Sequence, residues 1–377
     1  QETEGVRTDA RVCNLSYLQT DWYIDQMRRP AYDSPSLPIS WTRLQYVTGT
    51  REGIPVQPDA LQQVIDYYKD SPEDLKQMLG DNPYELKNII RHWVLNDNPD
   101  LQIFPTDSIV VTVDKEAVKR SGMMIAADSI PDVMHISLKG KRAVYKSEMM
   151  MLEMISQANW ERPLYMSTTV GPDNYGHLGD NFVQEGLACR ITPFDTKQSG
   201  RTIDSERMYN NMMNKFKYGG LKENPDIYLD ETVIRMCYTH RRLFNQLAQQ
   251  LLKEGQKDKA LKVLQRAEEE IPGSIVPHEA FYGHSLELAD AWLALGHKAE
   301  AEKLLNAVGQ NAKEYIEWYL SLNTQRLLQS SRECLMQIYI LNDIAKTWEP
   351  IDKKKAETYR MEVNNYASRC HQRGMSL

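Results

Sequence analysis

The chain has 377 residues, of which 41% are apolar and 26% charged, and its 45 Lys and Arg against 52 Asp and Glu leave a net charge of −7. That length suits two domains, and the acidic balance excludes the basic face on which nucleic-acid binding rests. The longest apolar runs, Met123–Ala127 and Ala291–Leu295, are five residues each. A membrane-spanning helix needs roughly 20.

The opening "QETEGVRTDA" has neither a basic segment nor an apolar core, so it does not read as a signal peptide. Val12, Cys13 and Leu15 then predict a short buried strand. The stretch Thr20–Met27 predicts a helix whose apolar residues are Trp22, Tyr23, Ile24 and Met27. Asn14 at the strand end and Asp21 at the helix start are candidate ligand contacts, with the alternative role of holding the turn. The first methionine is Met27, so the chain reads as a piece of a larger protein.

After the loop "RRPAYDSPSLPIS", the segments "PVQPDALQQVIDYYKD" and "SPEDLKQMLGDNPYELKNIIRHWVL" predict helices. Ser71 followed by Pro72, Glu73 and Asp74 is a strong helix start. "DSIVVTVD" (107–114) is dense in β-branched residues and predicts a strand. "DVMHISLKGKRAVYK" (132–146) predicts a hairpin turning at Lys139–Lys141. "SEMMMLEMISQANW" predicts a helix capped by Ser147, with Met150, Met151, Met154 and Ile155 on one stripe. "RPLYMSTTV" and "LACRITPF" predict strands. This alternation implies an α/β domain over 1–225, with a mixed, partly parallel sheet and flanking helices.

From Tyr228 the texture becomes helical, giving a second domain over 226–377. Phe244, Leu247, Ala248, Leu251, Gly255, Ala260, Leu264, Ala267 and Pro272 fall at successive tetratricopeptide positions. A weaker copy follows at Leu288, Ala289, Trp292, Gly296, Ala301 and Leu305. The glycines lie 41 residues apart rather than about 34, and an insert around "PGSIVPHEAFYG" accounts for the excess. Two repeats are fewer than stand alone, so the helices after Ala312 are expected to cap them. The concave face of such repeats can hold a peptide or partner helix.

The most suggestive chemistry is the glycine-rich loop "STTVGPDNYGHLGDNF" (167–182), which offers Asp173, Tyr175, His177 and Asp180. Loops leaving strands are where ligands gather in α/β proteins. It lacks any phosphate-cradle pattern, and a structural surface loop is the competing reading. "HEAFYGH" (278–284) spaces its histidines too widely for one helix face to hold a metal. Met149–Met151 and the Tyr315, Trp318, Tyr319 group fit core-facing helix stripes. Five scattered cysteines (Cys13, Cys189, Cys237, Cys334, Cys370) show no CxxC pair and read as isolated buried thiols. No catalytic residue, metal site or cofactor emerges from these patterns.

Several phrases together carry a family resemblance: "EGVRTDARVCNLSYLQTDWYIDQM" with "LPIS", "FPTDSIVVTVDKEAV", "NWERPLYMSTTVG", "EGLACRITP", "FKYGGL" and "IYLDETVIRMC", in order from residue 4 to about 237. They resemble the C-terminal soluble region of the bacterial protein-O-mannosyltransferase-like membrane family, GT-C-type glycosyltransferases. The resemblance implies a multispan membrane domain upstream as the natural partner and a periplasmic location on the inner membrane. It also implies an acceptor protein or glycan to be bound or positioned. The family's catalytic acid belongs to the membrane domain, so none is carried over and the fragment is expected to be non-catalytic alone. Asp107-Ser108-Ile109 and Asp128-Ser129-Ile130 match a short bacterial O-glycosylation acceptor pattern. The alternatives are a free-standing periplasmic tetratricopeptide-containing binding module and an independent α/β enzyme using the 167–182 loop.

Overall fold

Residues 12–15, expected to form a strand, do not. The computed structural model describes residues 8–47, 49–50 and 52–375, so the first seven residues, on which the signal-peptide reading partly rests, lie outside it. Residues 10–13 run irregularly into a 3-10 turn, Leu15–Gln19, and then helix α1, Asp21–Met27. The Asn14 side chain accepts from the Ser16 N–H (2.9 Å), and its own N–H donates to the Tyr23 hydroxyl (2.7 Å). This local bonding takes up polar groups that a strand would have needed for pairing. Val12 is 88% exposed, while Leu18, Tyr23, Ile24 and Met27 supply the buried contacts.

The next elements are α2 (Arg43–Val47), β1 (Gly53–Pro55), α3 (Ala60–Tyr67), α4 (Pro72–Leu79) and α5 (Leu86–Ile89), which runs on as a π turn through Val94. Pro72, Glu73 and Asp74 open α4 as expected, but the Ser71 side chain makes no cap bond. Then come β2 (Ser108–Thr112), α6 (Lys115–Arg120), β3 (Val133–Ser137), β4 (Ala143–Tyr145) and α7 (Lys146–Ala158). After them come β5 (Tyr165–Ser167), β6 (Phe182–Gln184), β7 (Ala188–Ile191) and α8 (Thr196–Ser199). Helix α7 begins one residue before Ser147, with no side-chain cap.

Among the described residues the α/β character holds, but the partly parallel sheet does not. Three small sheets form, β1–β4, β2–β3 and β5–β7–β6, all antiparallel. Parallel pairing is confined to bridges such as Val56 with Phe104 and Glu85 with Val110. The 132–146 hairpin is likewise corrected. The turn at Leu138–Lys141 exists, but β3 pairs with β2 and β4 with β1. The β2–β3 register sets Ile109 against Ile136 and Val111 against Met134, all buried, whereas β4 offers only Val144. Burying two apolar cross-strand pairs outweighs the proximity of β4.

Helix α7 is the centre of this unit, with Met149 through Ser156 all buried. Ile54, Phe104, Ile109, Met134, Ile136 and Val144 belong to the same core. That burial on all sides, rather than on one stripe, makes α7 a core helix.

The chain divides into two compact units, Gln1–Asp204 and Ser205–Leu377. The boundary expected at 225 falls after Asp204. Segment 205–225, which opens with α9 (Ser205–Asn210), instead packs on the helices after it. Tyr218 stacks on Phe244 (5.6 Å), Lys259 pairs with Glu206 (2.7 Å) and Lys222 with Glu269 (2.6 Å).

The second unit continues with α10 (Glu231–Lys253), α11 (Lys257–Glu270), α12 (Ser285–Ala294), α13 (Lys298–Ser321), α14 (Thr324–Gln329), α15 (Ser331–Trp348) and α16 (Lys353–Gln372). Pairs α10–α11 and α12–α13 are hairpins turning at Gly255 (φ +75°) and Gly296 (φ +83°), left-handed positions that suit glycine. The signature residues Phe244, Leu247, Ala248, Leu251, Ala260 and Leu264 are wholly buried. Helices α15 and α16 form a third, antiparallel hairpin, tied to α13 by Arg369–Glu317 and Lys313–Glu362. The methionine group is core, as expected. Tyr315 and Trp318 are about half exposed, which corrects their core reading, because they lie on the outward side of α13. The isolated-thiol reading fails for Cys334 and Cys370, whose sulfurs lie 3.9 Å apart. Among the described residues no helix is long and apolar enough to cross a membrane.

Candidate functional site

The 167–182 loop leaves β5 and returns into β6 through two 3-10 turns, Pro172–Asn174 and Gly179–Asn181. Gly176 (φ +57°) and His177 (φ +63°) are successive left-handed residues. A side chain on Gly176 would start 2.9 Å from the Met151 methyl, so the loop lies directly on α7. Leu178 is fully buried and anchors the turn, leaving His177 and Asp180 exposed. The Asp180 carbonyl accepts from the Thr196 hydroxyl (2.8 Å), and the Asn181 amide donates to the Phe194 carbonyl (3.1 Å). These bonds tie the loop to the segment 192–196.

Together they form one wall of an open cleft of about 790 Å³ within the first unit. Ser108, His135 and Ser137 come from β2 and β3, and Asp128 and Ser129 from the loop before β3. Asp195, Gln198 and Arg201 come from around α8. Arg201 donates to the Ala127 carbonyl (3.1 Å) and pairs with Asp128 (3.4 Å), while Asp195 caps α8 through the Gln198 N–H (2.9 Å). The cleft therefore offers carboxylates, two imidazoles, hydroxyls and amides on a hydrogen-bonded frame. Such a lining suits multidentate hydrogen bonding to a polyhydroxylated or peptide ligand.

Of the residues singled out in sequence, His177 and Asp180 meet here. Asp173 and Tyr175 do not line the cleft; Tyr175 packs edge-on against Phe182 (4.9 Å). Asn14 caps the Leu15–Gln19 turn, and Asp21 lies 3.6 Å from Arg43, which is held more closely by Asp25 (2.9 Å). His135, Asp195 and Arg201 escaped the sequence reading because they come from separated segments with no local motif. Ser108 and Ser129, noted for their acceptor-like triplets, are both exposed on this cleft.

The insert 271–284 holds a second arrangement. Ser285 Oγ lies 3.4 Å from His278 Nδ1, and His278 Nε2 lies 3.4 Å from Glu268. The order is that of a hydrolytic triad, but Ser285 has no exposed surface, so no substrate carbonyl can reach it. "HEAFYGH" is a loop, and among the described residues no group of three His, Cys, Asp or Glu could hold a metal ion.

The fold and cleft define a two-unit protein: an α/β unit bearing an open polar cleft, followed by a unit of helical hairpins. The chain belongs to the family described as TMEM260-associated domain 2, whose model matches residues 1–211. That family links it to TMEM260, a protein O-mannosyltransferase-like membrane protein. No curated protein and no solved structure matches the chain.

Proposed function

We propose that this chain is the extracytoplasmic C-terminal region of a bacterial GT-C-type membrane glycosyltransferase, non-catalytic alone, which positions an acceptor protein or glycan for a membrane-embedded active site. The observation that carries the reading is the family match over residues 1–211, which spans the whole α/β unit. The cleft at His177 and Asp180 is where the acceptor docks: its hydroxyl, imidazole and carboxylate groups complement sugar hydroxyls or a peptide backbone. Titrating the full chain with mannose oligosaccharides and with Ser/Thr-rich peptides tests this. Binding that His177→Ala and Asp180→Ala each weaken supports it, and no binding by either ligand class sinks the docking role. Reporter fusions at the C-terminus test the location, since an extracytoplasmic reading requires alkaline phosphatase to be active there.

A second reading, a free-standing module that grips a protein partner, rests on a groove of about 790 Å³ in the helical unit. Tyr238, Phe281, Tyr282, Tyr315 and Tyr319 line it. Phe281, Tyr282 and Tyr315 are exposed there, and exposed aromatics anchor protein interfaces. A partner captured by the wild type and lost in Tyr282→Ala with Tyr315→Ala would favour it.

A further inference from the structure

Cys334 sits in the first turn of α15 and Cys370 in the last turn of α16, 36 residues apart in sequence. Both are wholly buried, and their sulfurs face each other at 3.9 Å across the helix pair. A disulfide needs about 2.05 Å, so closure asks for roughly 2 Å of movement, within reach of side-chain rotation. The other three thiols belong elsewhere: Cys13 precedes α1, Cys189 is on β7 and Cys237 on α10.

We infer that Cys334 and Cys370 are the two halves of a disulfide that forms when the protein meets a small-molecule disulfide oxidant, and that it locks the third helical hairpin. The exchange balances with the oxidant as electron acceptor. The Cys370 thiolate attacks one sulfur of the oxidant, breaking its S–S bond and releasing one thiolate. The Cys334 thiolate then attacks Cys370 Sγ in the mixed disulfide and releases the second. The two cysteine protons pass to the departing thiolates, giving two thiols from one disulfide. Both cysteines lie in an end turn of their helix, so local opening there admits the oxidant, and Cys370 acts first because its surroundings favour the thiolate more. Burial pushes both thiols up, Cys334 to about 12, but at Cys370 the hydrogen bond with the Cys334 thiol, and then the Arg369 guanidinium, partly offset this. Thiolate is therefore scarce at neutral pH, and the reaction quickens as pH rises. The inference stands independently of the proposed function, since the same geometry holds in any compartment.

The test incubates the full 377-residue chain with oxidised glutathione or with dithiothreitol, followed by an acid quench and thiol counting in denaturant. The expected result is a loss of two of the five thiols without a glutathione adduct. A tryptic peptide should join Cys334 to Cys370, and the melting temperature of the helical unit should rise by about 5–15 °C. Cys370→Ser should abolish the thiol loss and the melting shift. If the new hydroxyl in the core unfolds the chain, Cys334→Ala gives the same test without a buried polar atom. Five thiols persisting at pH 8.5, a stable glutathione adduct on Cys370, or a bridge involving Cys13, Cys189 or Cys237 would each overturn the inference.

Discussion

The Glu153 carboxylate, wholly buried in the middle of α7, accepts hydrogen bonds from the backbone N–H (2.7 Å) and the hydroxyl (2.5 Å) of Ser40, 113 residues earlier in the chain. It pins the proline-rich loop after α1 to the central helix. Glu153→Ala removes two charge-assisted bonds and leaves a void, so a loss of about 2–4 kcal/mol is expected. Glu153→Gln keeps an acceptor and should lose less. Denaturant titration of both variants checks this, and equal losses would show that the charge of the carboxylate, not packing or neutral acceptance, is what matters.

Gly176 tests the seating of the cleft loop. An alanine there meets a left-handed backbone and the Met151 methyl at 2.9 Å. We expect Gly176→Ala to cost about 1–2 kcal/mol, most of it backbone strain, because the methionine end can move aside. A double variant with Met151→Ala should therefore recover little beyond the sum of the two single effects. Full recovery would assign the cost to the clash.

Arg241 tests the insert between the first two helical hairpins. It is 1% exposed and donates to the carbonyls of Ile271 (3.0 Å), Val276 (2.8 Å) and Pro277 (3.0 Å). Arg241→Met keeps the volume but strands three carbonyls, for an expected loss of about 3 kcal/mol. Limited proteolysis should then cut within 272–284 well before any other site. An unchanged digestion pattern would show that the insert holds itself.

His240 predicts a pH dependence. Burial lowers its pKa, and its Nδ1 has no hydrogen-bond partner among the described residues. The folded protein thus resists protonation more than the unfolded chain, which takes up its proton near pH 6.5. The stability it contributes is complete above that pH and declines as pH falls through 6.5 toward the lower folded value. In His240→Phe, which can still pack against Tyr218, the decline between pH 7 and 5 should be shallower. Denaturant midpoints across that range measure it, and parallel curves would refute it.

Much of this was legible in sequence, and the pattern of failures is physical. The helical hairpins follow from Gly255, Gly296 and the small residues Ala248 and Ala260, because tetratricopeptide packing is a short-range matter of turn and close approach. Strand β2 and helix α1 likewise follow from composition and period. The strand expected at Val12–Leu15 failed because a side-chain cap, Asn14 to Ser16, competed locally for the backbone. The β3–β4 hairpin failed because pairing was decided by Ile109 and Val111, more than 20 residues away in sequence.

The sequence by itself therefore determined the class of each half, its helical periodicity and the ordered phrases that carry the family. The tertiary structure alone decided which short strands pair, since registers of three to five residues are chosen by buried cross-strand partners. It alone brought His135 and Arg201 to the same cleft as His177, and set the thiols of Cys334 and Cys370 face to face. Those are encounters between distant segments. They are governed by how an antiparallel helix pair or a buried central helix folds the chain back on itself, and no local pattern records them.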